Sequence, residues 1–96
     1  MPAYLIARVA VTNIEKYKQY LNVVPGVIEK FEGKYVSRAG KTVTLEGSDE
    51  TRRIIIIEFP TLERAKDFYN STEYQEAKKL RKDAAIGEMI VVEGTE

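Results

Sequence analysis

The sequence predicts an α+β fold: a four-stranded antiparallel sheet with helices on one face, in the order strand, helix, strand, strand, helix, strand. Three observations lead to it. Short runs rich in β-branched residues recur at Ala3 to Val11, Arg53 to Phe59 and Met89 to Val92. Between them, apolar residues return at steps of three and four, from Ile14 to Phe31 and again from Leu62 to Ala84. Punctuating residues stand at the joints: Gly33, Gly40, Pro60 and Gly87. With 96 residues the chain has room for one domain, spanning 1–96.

Ala3 to Val11 is apolar on both alternating sets, so it reads as a central strand covered on both faces. Thr12-Asn13-Ile14-Glu15 fits a capping box with Thr12 as the cap. The helix that follows carries Ile14, Tyr17, Leu21, Val24, Ile28 and Phe31 as its apolar stripe, with Tyr20 on the flank. Pro25 removes a helical hydrogen bond and predicts a kink or two short helices; Gly33 ends the element. Lys34 to Ala39 and Thr42 to Glu46 read as strand interrupted by a bend at Gly40, and Gly47 to Glu50 as a turn. Arg53 to Phe59, with four consecutive isoleucines, is a second two-faced strand, and Pro60 stops it. Thr61 caps a helix carrying Leu62, Ala65, Phe68 and Tyr69, and Ser71 caps another carrying Tyr74, Ala77, Leu80 and Ala84. The step of five between Tyr69 and Tyr74 separates the two. Gly87 releases the chain into the last strand, followed by the polar tail Glu93 to Glu96.

This order is the split βαβ, ferredoxin-like βαββαβ arrangement, whose helices cover one sheet face only. The other face is also apolar, so a homodimer packed through the sheet face is expected.

Composition excludes several chemistries. Fifteen Lys and Arg balance fifteen Asp and Glu, which removes the net field expected for nucleic acid or an anionic membrane. The chain has no Cys, His or Trp. It therefore has no thiolate nucleophile, no imidazole base and no ordinary zinc site. The pairs Asp49-Glu50 and Glu29 with Glu32 lack the spacing of a calcium loop, so no metal and no cofactor are expected. The start of the chain lacks the pattern of a signal peptide, and the Ile54 to Ile57 run is far too short to span a bilayer; a cytoplasmic location follows as an expectation.

From Ala3 to Gly94 the chain resembles the domain-of-unknown-function 1330 family of the dimeric α/β barrel superfamily. The resemblance is carried by Tyr17-x-x-Tyr20 with Val24-Pro25, Gly33, Arg38-Ala39-Gly40, Leu45-Glu46-Gly47, Arg53 leading to Ile57-Glu58-Phe59-Pro60, and Tyr69-x-Ser71-x-Glu73-Tyr74-Gln75. It implies a ferredoxin-like protomer that dimerises through its sheet, without an established activity. The superfamily includes haem-degrading and cofactor-free monooxygenases, chlorite dismutases and small-lactone isomerases; the absence of His excludes histidine-ligated haem.

Carboxylate, tyrosine and arginine chemistry remains. Glu58, embedded in an apolar strand, reads either as a general base or as an acid neutralised by Arg8 or Arg53. Tyr69 and Tyr74, at the junction of two helices, read either as phenols facing a cavity or as buried rings bonded to backbone. Arg38, Arg53 and Arg81 are candidates for holding an anion, with Glu46 beside Arg38 at a pocket mouth; an Arg38–Glu46 edge ion pair fits equally. Tyr17 reads as core. These residues fit a homodimeric binder of a small anionic molecule, with Glu58 and Tyr69 or Tyr74 moving a proton in an isomerase-like or lyase-like step. A non-catalytic binding or assembly module and a cofactor-free monooxygenase are the alternatives.

Overall fold

The computed structural model describes residues 1–95; Glu96, the last residue of the expected polar tail, lies outside them. The elements are β1 (Ala3–Val11), α1 (Ile14–Lys30), β2 (Lys34–Arg38), β3 (Arg53–Phe59), α2 (Leu62–Asn70), α3 (Thr72–Lys79) and β4 (Ala85–Glu93). The strands form one antiparallel sheet in the order β2-β3-β1-β4, as split βαβ topology requires. No helix in the described residues is long and apolar enough to cross a membrane.

Period-two alternation assigns each strand residue to a face. Ala3, Leu5, Ala7 and Val9 are buried beneath the helices, beside Ile57 and Phe59 of β3. Tyr4, Ile6, Arg8, Ile54, Ile56 and Glu58 point the other way, where β4 adds Ile86, Ile90 and Val92. That second face carries no helix, and Ile86 is 71% exposed.

Five details differ from the sequence expectations. The cap of α1 is Asn13, not Thr12: its Oδ1 accepts from the Lys16 amide at 3.1 Å. Thr12 instead donates its amide to the Ala84 carbonyl, and Glu15 pairs with Lys18. Pro25 does not divide α1. It costs the helix one hydrogen bond, about 3 kcal/mol or more in an interior position, but Tyr20, Val24, Val27 and Ile28 are buried along one face on both sides of it. That packing outweighs the loss.

Thr42 to Glu46 forms no strand. The chain from Ala39 to Arg52 is irregular, with Leu45 93% exposed. The sheet irregularity lies between Tyr35 and Ser37 rather than at Gly40, and Ala39 takes the positive φ of 57°. Finally, Gly87 lies inside β4, opposite Val9, instead of preceding the strand. Arg81 Nη1 lies 3.8 Å from where a Cβ on Gly87 would sit, an ordinary contact distance.

Candidate functional site

Two spaces lie on the helix-covered side of the sheet. The first is a chamber of about 40 Å³ between α1 and the sheet. Helical spacing aligns Tyr17 and Tyr20 on the buried side of α1, and α3 brings Tyr74 against them. All three rings are at most 6% exposed. The Tyr20 and Tyr74 hydroxyls are hydrogen-bonded at 3.0 Å, and the ring of Tyr17 stacks on Tyr20 with centroids 5.4 Å apart. Tyr74 is placed by the break between α2 and α3. Ser71 ends one helix and caps the next, its Oγ accepting from the Tyr74 amide at 3.0 Å.

Arginines supply the positive charge. Arg53 enters from the start of β3, on the helix-covered face, with its guanidinium 5.7 Å from the Tyr17 ring. Its Nε is buried without a hydrogen-bond partner. Arg38 is exposed at the chamber's rim and covers the Tyr35 ring at 4.5 Å. No carboxylate lines the chamber among the described residues. Two of these phenols hold their protons: burial and then the neighbouring Tyr74 push Tyr20 far above the ordinary tyrosine range, and burial raises Tyr17 against the lowering effect of Arg53. The chamber thus offers cations and hydrogen-bond donors, the complement of an oxyanion.

The second space is a groove of about 390 Å³ between α2, α3 and β4. Tyr69 and Arg81 line it, while Leu5 and Met89 border both spaces. Arg81 forms part of the partition. Its Nη2 donates to the Tyr74 hydroxyl at 3.5 Å, its guanidinium lies 5.7 Å from the Tyr20 ring, and its Nε is buried without a partner.

The structure therefore brings Arg38, Arg53 and Tyr74 to one space and Tyr69 and Arg81 to the next. Glu58 joins neither. It lies on the helix-free face, across from Tyr4 on β1 and Lys34 on β2, with the sheet between it and the tyrosines. The proposed neutralising partners are elsewhere: Arg8 pairs with Glu50 at 3.8 Å, and Arg53 is on the opposite face. Glu46 belongs to the irregular segment and lines neither space. Tyr20 is the chamber residue that the stripe reading leaves on the flank. The spacing Tyr17, Tyr20, Val24, Val27 is an equally regular helical set and was available as the signal.

Solved structures share this architecture. A protein of unknown function from Rhodopseudomonas palustris superposes with a TM-score of 0.78 at 24% identity, covering 99% of this chain and 83% of that one. A dimeric ferredoxin-like protein of unknown function from Jannaschia sp. CCS1 gives 0.70 at 9% identity, over 98% and 100% of the two chains. SnoaB, a cofactor-independent oxygenase from Streptomyces nogalater, gives 0.62 at 9% identity, over 99% and 94%. At these identities the likeness shows a shared ferredoxin-like fold. No curated protein sequence matches the chain. Residues 2–95, nearly the whole chain, match the domain of unknown function DUF1330, and the protein belongs to that family.

Proposed function

We propose that the protein binds a small organic acid, seating the acid's carboxylate in the chamber, and works as a homodimer packed sheet to sheet. The observation that carries this reading is the buried, unpartnered Nε of Arg53 in a space lined by phenols and by no carboxylate. A buried N–H donor without a partner is costly, and a ligand carboxylate would relieve that cost with a charge-assisted hydrogen bond. At about 40 Å³ the chamber has room for a group the size of a carboxylate and not for a larger body. The rest of the ligand would extend past Arg38.

Among the described residues no carboxylate lines the chamber, Glu58 lies beyond the sheet, and the Tyr17 and Tyr20 phenols hold their protons. The arrangement favours binding, and stabilisation of negative charge on a ligand oxygen, over the acid–base step expected of Glu58. The same donors would hold the enolate of a substrate acidic enough to lose its proton to solvent, the electron-rich form that reacts with dioxygen, so a cofactor-independent oxygenase is the second reading. SnoaB, with the same fold, is described as such an enzyme.

Calorimetric titration with acetate, pyruvate and benzoate, each beside its neutral amide, tests the first reading. The acids bind, the amides do not, and Arg53→Gln weakens binding at least tenfold while Arg53→Lys retains part of it. Equal binding of acids and amides, or no effect of Arg53→Gln, overturns it. Oxygen uptake by enolisable acids that saturate the chamber tests the second.

A further inference from the structure

We propose that the groove between α2, α3 and β4 is a second anion site, distinct from the chamber, that takes a monocarboxylate with an apolar body. The inference does not depend on the chamber binding anything. At about 390 Å³ the groove falls within the range of small-molecule sites. Its floor is apolar, formed by Leu5 of β1 and by Met89 and Val91 of β4.

Its charge pattern is the second observation. On the same helices Lys66 pairs with Glu63 at 3.7 Å and Lys79 with Glu76 at 2.8 Å. Lys78 and Arg81 do not. Among the described residues neither has a carboxylate within ion-pair distance, and no carboxylate lines the groove. Both are held in place by neutral groups. The Lys78 ammonium donates to the Tyr69 hydroxyl at 2.7 Å and lies 5.1 Å from the centre of that ring. Arg81 is fixed by Tyr74 and Tyr20. Its Nε remains an unpartnered, buried donor.

A point charge and a planar fork above an apolar floor match a carboxylate on a hydrocarbon body. A dianion fits less well, because Arg81 follows the C-terminal turn of α3, where the helix dipole is negative.

The test is titration of the intact protein with hexanoate, followed by calorimetry and by the NMR signals of the Val91 methyl groups and the Gly87 amide, which border the groove and not the chamber. Acetate, hexanamide and hexyl phosphate are the comparisons. Hexanoate is expected to bind at least tenfold more tightly than each of the three and to shift both signals. Lys78→Met, which keeps the apolar stem, is expected to weaken the hexanoate response of the groove signals at least tenfold without altering the circular dichroism spectrum, whereas Arg53→Gln leaves that response unchanged. Hexanamide binding as well as hexanoate overturns the proposal, as does undiminished affinity in Lys78→Met. Loss of hexanoate binding in Arg53→Gln also overturns it, by assigning the ligand to the chamber. Failure of acetate, pyruvate and benzoate to respond to Arg53→Gln bears only on the chamber.

Discussion

Gly33 carries more of the fold than its place after a helix suggests. The left-handed turn that ends α1 is taken by Glu32, with φ 66°, while the Gly33 amide donates to the Ile28 carbonyl at 2.9 Å. A Cβ on Gly33 would lie 2.7 Å from Ile28 Cγ2 and 2.9 Å from the Phe59 ring. Gly33→Ala is therefore expected to cost about 1–3 kcal/mol through overpacking, read as a lower midpoint in denaturant unfolding. An unchanged midpoint would mean that Phe59 yields without penalty. The buried phenols make a second residue-scale prediction. Tyr17 and Tyr20 have raised pKa values in the folded chain, so their contribution to stability is complete below the unfolded value, about 10, and is lost as pH rises above it. Of the six tyrosines, Tyr20 should gain tyrosinate absorbance only when the protein unfolds. Titration of all six with the fold intact would contradict the chamber's description.

At the scale of elements, the irregular segment from Ala39 to Arg52 is tied to the sheet by charge. Glu50 receives two side-chain hydrogen bonds from Arg52, at 2.9 and 3.0 Å, and pairs with Arg8 of β1, while Arg52 also reaches Glu88 of β4. Hydrogen bonds from the Arg52 side chain and backbone hold the Glu50 carboxyl down to about 2. A depressed carboxyl stabilises the fold above its unfolded pKa and loses that effect as pH falls toward the folded value. Stability should therefore decline between about pH 4.5 and pH 2, and Glu50→Gln should flatten that limb when thermal midpoints are followed against pH. The same segment shows what element-level patterning misses. Val43 and Leu45 alternate with Thr42 and Thr44 like a strand, yet β2 ends at Arg38 and leaves them no ladder to join.

The whole molecule is a slab measuring 34 × 32 × 16 Å, with helices on one broad side. The other side carries Ile56, Ile6 and Ile90 in one cross-strand rung, with Ile54, Ile86 and Val92 around it. A stable protein interface buries roughly 800 Å² per partner, and a face of this breadth accommodates it. The proposed dimer predicts twice the chain mass in light scattering at micromolar concentration. Ile90→Glu, which would bury an unpaired carboxylate at the contact, should shift it to monomer without loss of secondary structure. A monomeric parent protein would remove the dimer and leave both helix-side spaces as described.

Local patterning was enough to place β1 and β3, the paired caps Thr61 and Ser71, and the split between α2 and α3, because those features depend on neighbours two to five residues apart. The two-faced apolarity of the strands and the family resemblance were legible in the same way. Which face Glu58 occupies, whether Tyr20 is core or flank, and which arginines share a space were decided only by tertiary structure. A one-residue change of strand register or a partial turn of a helix redirects a side chain from one environment to another, and that phase is set by packing between segments distant in the chain.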